Sequence, residues 1–195
     1  MEDVDLPAAL RAAKDGDEQA FAVLWRELNP PVVRYLRVVV SEAAEDVASE
    51  TWLQVARDLR RYRGDAQGFR VWVFRIARNR AIDELRRAGR RAEEPLDDSV
   101  DHESGDDTAR DALDRLATER ALELISSLPP DQAEAVMLRV VAGLDVAQTA
   151  EVLGKRPGAV RVATMRGLRG LARRLEQQQS ERSSGQCRSG GGVTR

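Results

Sequence analysis

Basic side chains are the residues of this chain whose number and spacing most clearly suggest a chemistry. Residues 155–174 contain seven of them and no acidic residue. Such a run binds phosphates, because each contact releases counterions condensed on a nucleic acid. The alternative is the solvated face of an ordinary helical hairpin. The candidates for phosphate and base contacts here include Lys155, Arg156, Arg161, Arg166 and Arg169.

A second basic stretch, residues 68–91, alternates arginines with aromatic residues. Aromatic faces stack on unpaired bases while arginines hold the backbone, which is the chemistry of single-strand binding. Phe69, Trp72 and Phe74 are the candidate rings, although the same side chains would also suit a helical core. Asn79 has an amide that can pair with a base edge, or it is a plain surface residue. The arginines of this stretch include Arg70, Arg75, Arg78, Arg80, Arg86 and Arg87.

Catalytic and metal-binding chemistry finds no support in the sequence. The single cysteine, Cys187, and the single histidine, His102, cannot form a metal site of the usual spacing. Asp83 and Glu84 are adjacent, and adjacent positions on a helix do not face each other, so they are a poor acid–base pair. We therefore expect a binding protein that is not an enzyme and that needs no cofactor or metal.

The net charge of −2 hides a strong segregation of charge along the chain. Residues 57–91 hold twelve arginines against four acidic residues, whereas residues 93–119 hold eleven acidic residues against two arginines. The acidic segment has few large apolar residues and predicts a flexible linker between two domains. No apolar run is long enough to span a membrane, and the N-terminus does not resemble a signal peptide. We expect a cytoplasmic protein without membrane insertion.

The elements that carry these cations all show the helical period of 3.6 residues, so the predicted fold class is all-α. In the N-terminal half, Asp5 and Asp17 are candidate helix caps. The helix after Asp17 is predicted to stop at Asn29, because Pro30 and Pro31 follow, and a new helix is predicted over residues 32–40. Further helices are predicted over residues 46–59 and in the segment from residue 69 to residue 85.

Residues 145–175 have the pattern of a helix-turn-helix. Asp145 can cap a first helix, Gly154 can end it in the left-handed conformation, and Pro157 suits the first turn of a second helix. That second helix would enter a DNA major groove with its basic side outward. Its inward stripe is predicted to contain Val160, Thr164, Leu168, Leu171 and Leu175. From residue 177 onward the low-complexity sequence predicts a disordered tail.

Four stretches together resemble the bacterial RNA polymerase sigma factors of the extracytoplasmic-function (ECF) class, in the sigma-70 family. They are residues 16–25, 44–64, 69–87 and 125–162, in the order that the family has. The resemblance implies sigma region 2 over residues 5–92 and sigma region 4 over residues 118–176. A linker over residues 93–117 would join these two small helical domains, and residues 177–195 would be the tail.

The resemblance also implies roles for individual residues. Core polymerase would be bound by Asp46, Ser49, Glu50 and Gln54. The −10 promoter element would be held and read by Asn79, Arg75, Arg78, Arg80, Arg86 and Arg87. The −35 element would be contacted by Lys155, Arg156, Arg161, Val162, Met165, Arg166 and Arg169.

The implied function is that of a sigma factor, which binds core RNA polymerase, recognises promoter DNA and promotes its melting. An anti-sigma factor is a further implied partner. The alternative that the residues themselves leave open is a stand-alone helix-turn-helix regulator, which would bind duplex DNA without polymerase.

Overall fold

The computed structural model describes residues 5–93 and 109–188, and the side chains of residues 5–91 and 116–178. Over these ranges the chain forms α-helices joined by short turns and contains no strand, which confirms the all-α fold class. An N-terminal domain is built from α1 (Leu6–Asp15), α2 (Glu18–Val40), α3 (Ala44–Asp58) and α4 (Ala66–Glu93). A C-terminal domain is built from α5 (Ala109–Ser126), α6 (Pro130–Val136), α7 (Val146–Leu153) and α8 (Pro157–Arg188).

Local capping fixes where the first two helices begin. The Asp5 carboxylate accepts a hydrogen bond from the Ala8 amide, and the Asp17 carboxylate accepts from the amides of the first turn of α2. Between them Gly16 has φ +102°, a left-handed conformation that glycine adopts without a Cβ clash. Both predicted caps are confirmed.

The predicted break at Asn29 is wrong, because α2 continues through Pro30 and Pro31 to Val40. Each proline removes one hydrogen bond to the carbonyl four residues earlier. Those carbonyls belong to Arg26 and Glu27, which are exposed residues, so the missing bonds lie on the outer side of the helix. The Asn29 side chain instead joins α2 to α3, because its amide oxygen accepts a hydrogen bond from the Trp52 indole at 2.9 Å.

The apolar core runs continuously through both domains. In the N-terminal domain α2, α3 and α4 bury large side chains such as Leu28, Val55 and Phe74. In the C-terminal domain the π-helical turn Met137–Val141, which follows α6, contributes Met137 and Leu138. The two domains meet where α2 contacts α5 and α6, and where α4 contacts α7. Helices from both domains are thus held in one body.

The helix-turn-helix forms as its capping residues predicted. Asp145 and Gln148 form a capping box, in which each side chain accepts a hydrogen bond of 2.8 Å from the other residue's amide. Gly154 ends α7 with φ +63°, and Pro157 is the first residue of α8.

The face by which α8 docks differs from the predicted stripe. Val160 is buried, but Leu168 and Leu175 are exposed. Gly167 and Gly170 lie against α6 and the turn before it, and a Cβ added to Gly167 would be 2.7 Å from Cγ2 of Val136. Glycine permits this close approach, which a search for large apolar residues cannot detect.

Two described helices overlap segments that the sequence predicted as linker and tail. α5 begins at Ala109, within the predicted linker of residues 93–117, and α8 ends at Arg188, within the predicted tail of residues 177–195. Residues 176–179 are glutamate and glutamine, which are good helix formers, and no proline follows Pro157 to interrupt α8. The rest of the predicted linker and tail, residues 94–108 and 189–195, lies outside the described residues, as do the side chains of His102 and Cys187.

Candidate nucleic-acid interface

The N-terminal half of α8 presents an exposed basic surface. Arg156, Arg161, Arg166 and Arg169 are exposed and form no ion pair with another described residue. Val162 and Met165 lie among them with about two fifths of their surface exposed. Lys155 is different, since its Nζ lies 2.6 Å from Oδ1 of Asp131. The turn before α8 is thereby tied to the start of α6.

The predicted −10 residues lie on different sides of α4. Arg80 donates two hydrogen bonds to the Gln54 side chain, at 3.1 and 2.9 Å, and Arg87 lies 3.8 Å from Glu50. Both arginines therefore join α4 to α3.

Asn79 and Arg86 remain at the surface. Asn79 is exposed, and among the described residues Arg86 pairs only with Asp83, at 3.6 Å and one turn earlier in the same helix. Neither residue is part of the core or of the contact with α3.

Arg75 and Arg78 instead reach the C-terminal domain. Arg78 donates to both carboxylate oxygens of Glu134, at 3.2 and 3.4 Å. Arg75 donates to Glu151 in α7 at 3.3 Å. Sequence reasoning brought these arginines together as DNA ligands but did not predict the carboxylates that face them.

One candidate aromatic residue is accessible, and it lies beside a tyrosine that the sequence reading did not single out. Phe69 and Phe74 are fully buried, whereas Trp72 is half-buried. The ring of Tyr62 lies 5.0 Å from that of Trp72 at an interplanar angle of 31°. The two rings line an open cleft together with Arg61, Arg63, Arg75 and Glu151.

The loop below this cleft shows why Tyr62 takes its position. Its hydroxyl donates to the Asp65 carbonyl at 2.9 Å and covers Gly64 and Gly68, where an added Cβ would collide with the phenol. Partial burial, with the nearby Asp65 carboxylate, raises the pKa of Tyr62 to about 12. One feature of the sequence could have indicated this role for Tyr62: it lies two residues before a glycine, at the end of a helix that is rich in arginine.

The predicted polymerase-binding residues are also divided. Asp46 and Ser49 are exposed on α3, whereas Glu50 and Gln54 face α4 through Arg80. Beside Ser49 lies an apolar groove between α2 and α3, whose lining includes Phe21, Trp25, Trp52, Leu53 and Ala56. Leu53 is 66% exposed and Trp25 40%, which is unusual for such large apolar side chains.

Neither a metal site nor a membrane segment is present in the part of the chain that the structure describes. No group of three or more histidine, cysteine, aspartate or glutamate side chains is arranged to hold a metal ion there. No helix among the described residues is long and apolar enough to cross a membrane.

Two protein-family descriptions match the chain, one for each domain. Sigma-70 region 2 matches residues 24–91, and Sigma-70, region 4 matches residues 118–171. The helical N-terminal domain with its basic α4 and the C-terminal helix-turn-helix therefore define a sigma-70 type of protein.

Comparison with individual relatives assigns the chain to a smaller family within the sigma-70 type. The ECF RNA polymerase sigma factor SigD of Mycobacterium tuberculosis is 34% identical over 178 residues, which cover 88% of this chain and 84% of SigD. The ECF RNA polymerase sigma factor BldN of Streptomyces coelicolor is 34% identical over 166 residues, but the match spans only 63% of its length. The chain belongs to the ECF RNA polymerase sigma factors, as its sequence predicted.

A solved structure supports the fold. The sigma factor RpoE of Bartonella quintana, in complex with the anti-sigma factor NepR, superposes with a TM-score of 0.61 at 19% identity, covering 80% of this chain and 96% of RpoE. The roles of individual residues and the predicted domain limits stay predictions.

Proposed function

We propose that this chain binds core RNA polymerase, directs it to promoters with a −10 and a −35 element, and promotes their melting. The observation that carries the proposal is the pairing of a free basic recognition helix in one domain with an aromatic, arginine-lined cleft in the other. The chain is then a specificity subunit, and polymerase performs the chemistry of RNA synthesis.

The −35 element is assigned to α8. Arg161 and Arg166 have no carboxylate partner among the described residues, so phosphates and guanine edges can bind them without displacing an internal contact. Val162 and Met165 would contact apolar groups such as thymine methyls in the major groove. The capping box at Asp145 and the ion pair of Lys155 orient α7 and α8 for this docking.

The −10 element is assigned to the cleft at the N-terminal half of α4. A base that leaves the duplex can stack on Tyr62 or Trp72, while arginines along the cleft hold the strand by its phosphates. Asn79, exposed one turn after Arg75, can read a base edge. Arg80 and Arg87 would act indirectly, because they fix α4 against α3.

Core polymerase is assigned to the exposed side of α3. Asp46 and Ser49 belong to this side as the resemblance implied, and we add Leu53 and Trp25, whose exposed apolar surface needs a partner. Glu50 and Gln54 would support this surface by holding α4. An anti-sigma factor, like the one bound to RpoE, is the proposed negative regulator.

The test is promoter opening that depends on polymerase. The purified chain is mixed with bacterial core polymerase and a library of promoter fragments, and unpaired thymines are detected by permanganate. Opening should require both proteins. Asn79→Ala and Arg161→Ala should each reduce it by about tenfold or more, in line with ~1–3 kcal/mol for a good base contact.

Matched controls separate a local effect from a general loss of charge or stability. Arg11→Ala removes an exposed arginine of α1 and Gln19→Ala an exposed amide of α2, both outside the proposed DNA-binding sites, and both should open promoters normally. Tight duplex binding without polymerase, combined with no opening in its presence, would instead identify a stand-alone helix-turn-helix regulator.

A further inference from the structure

Asp58 is an acidic residue of the cleft that the proposed −10 contacts do not use. It is the last residue of α3, it is half-buried, and it lines the cleft together with Tyr62 and Trp72. Its carboxylate forms no hydrogen bond or ion pair with any residue that the structure describes. Polar groups that are withdrawn from solvent are usually paired. This carboxylate is therefore free to accept hydrogen bonds from a ligand in the cleft.

The position of Asp58 does not stabilise α3. The last carbonyls of a helix carry partial negative charge, so a carboxylate in the last turn is unfavourable and a cation there is favourable. Arg57, one residue earlier, is the cation that α3 has in this turn. A carboxylate also repels phosphates, so it weakens the attraction of the cleft for a nucleic-acid backbone. Neither helix stability nor backbone binding explains an acid at this position.

An unpaired base offers the N–H donors that a phosphate lacks. A carboxylate accepts hydrogen bonds at two oxygens and donates none. The Watson–Crick edge of guanine carries two adjacent donors, N1–H and the 2-amino group, and they match these two oxygens. Adenine and cytosine each have an amino group beside a ring nitrogen that repels a carboxylate, and thymine has one N–H between two carbonyls. Guanine is therefore the base whose exposed edge best fits Asp58.

The neighbours of Asp58 supply the other contacts that a guanine needs. The rings of Tyr62 and Trp72 lie 5.0 Å apart and offer an aromatic surface on which a base can stack. Arg61 is exposed in the same cleft, and its guanidinium pairs with no described residue. It can donate to the O6 carbonyl of the base or to a phosphate. The cleft thus combines an acceptor, a stacking surface and a donor.

We propose that Asp58 selects an unpaired guanine of the −10 strand, by accepting hydrogen bonds from its N1–H and 2-amino groups while the base stacks on Tyr62 or Trp72. This inference rests on the proposed role of the cleft in binding that strand, and it adds the base that the cleft prefers. The arginines of the cleft bind phosphates of any sequence. Asp58 makes the binding depend on the sequence.

The test uses the full-length chain with core polymerase and a labelled promoter fragment that this holoenzyme opens. Mismatches hold the −10 region of the fragment open, so fluorescence anisotropy measures strand binding without the cost of melting. Each guanine of the non-template strand in that region is replaced in turn by hypoxanthine, which lacks only the 2-amino group. It is also replaced by 7-deazaguanine, which changes only the major-groove edge of the base.

At one guanine, hypoxanthine should weaken binding by the wild-type chain roughly tenfold, which is in the range of a good bidentate base contact. The 7-deazaguanine fragment should bind like the guanine fragment, because Asp58 reads the opposite edge. Asp58→Asn keeps the size of the side chain but turns one acceptor into a donor. It should bind guanine about as weakly as the wild type binds hypoxanthine, and distinguish the two bases by less than about twofold.

Asp15→Asn is the matched control, because Asp15 is the last residue of α1, is exposed and does not line the cleft. It removes the same charge from the same position of a helix, so the preference for guanine should remain. Neither substitution should lower the melting temperature, because each removes an unfavourable charge from a helix C-terminus.

Three results would overturn the inference. If hypoxanthine weakens wild-type binding at no position, the chain does not read the 2-amino group of a guanine. If Asp58→Asn keeps the full preference for guanine, another residue reads that base. If Asp58→Asn has a lower melting temperature and binds every fragment equally less well, Asp58 has only a structural role.

The proposed function is tested separately by Trp72→Ala on the same fragments. Weaker binding of every fragment by this variant keeps the cleft as the −10 site even where Asp58 is rejected as its reader. A holoenzyme that opens no promoter rejects the proposed function itself, and this inference with it.

Discussion

At the scale of single residues, the two tyrosines report on the proposed −10 cleft and on the contact between the two domains. Tyr62 lies in the proposed −10 cleft, where partial burial raises its pKa to about 12. Tyr35 is buried at the domain interface, where burial and Glu134 raise its pKa well above the ordinary value. The chain contains no other tyrosine, so its alkaline titration reads these two environments alone.

The folded chain should therefore show no tyrosine ionisation with a midpoint near pH 10, the ordinary value. Folding favours the protonated form of both phenols, because their pKa values are higher in the folded chain than in the unfolded chain. The stability that this difference adds is fully present below about pH 10 and is lost as the pH rises toward 12. Tyrosinate absorbance measures the ionisation, and denaturant unfolding at each pH measures the stability. In concentrated guanidinium both residues should titrate near pH 10. Half of the absorbance change appearing at pH 10 in the folded protein would contradict the described position of Tyr62.

A second prediction concerns Leu53, whose side chain is 66% exposed on α3. Leu53→Asp should weaken binding to core polymerase by at least about tenfold, because it places a charge where an apolar contact is proposed. The free energy of unfolding should change by less than about 0.5 kcal/mol, as for most surface substitutions. Surface-immobilised polymerase and denaturant unfolding measure the two quantities. Leu85→Asp, at a leucine 49% exposed on α4, is the control, and equal losses for both variants would reject the assigned surface.

At the scale of elements, the sequence predicts helix ends better than helix faces. Asp17, Asp145 and Gly154 were recognisable because capping depends on a few neighbouring residues. The continuation of α2 through two prolines was not, since it depends on which side of the helix the missing hydrogen bonds lie. The docking face of α8 was missed because its contact uses Gly167, which a pattern of large apolar residues does not include.

Gly167→Ala tests this docking face directly. The added methyl group would meet Val136 at 2.7 Å and the Gln132 carbonyl at 3.3 Å, so we expect a loss of about 1–3 kcal/mol in the free energy of unfolding. Gly89→Ala is the matched control in exposed α4, where nothing lies within 4 Å of the new methyl group. It should stabilise by up to about 1 kcal/mol through helix propensity. Denaturant unfolding measures both, and a stabilised Gly167→Ala would disprove close packing of α8 on α6.

At the scale of the whole molecule, the arrangement of the two domains is what the sequence did not reveal. The charge segregation indicated two basic domains and an acidic segment between them, and the motifs indicated where each DNA site lies. The contact between Arg78 and Glu134 joins residues 56 positions apart, and that between Tyr35 and Glu134 joins residues 99 positions apart. No local pattern specifies such pairs, because a glutamate or an arginine on a helix is equally compatible with exposure to solvent and with an ion pair between domains.

The shared core and this buried network predict that both domains unfold together. Calorimetry of the wild-type chain should show one transition, with equal calorimetric and van't Hoff enthalpies. Glu134→Ala leaves the Arg78 guanidinium and the Tyr35 hydroxyl without their acceptor, at a cost of about 1–3 kcal/mol or more. Because that cost falls on the contact between the domains, it weakens their coupling, and the variant should unfold in two separate transitions. Glu123→Ala, at an exposed residue of α5, should keep the single transition, and two transitions in the wild type would show that the interface does not couple the domains.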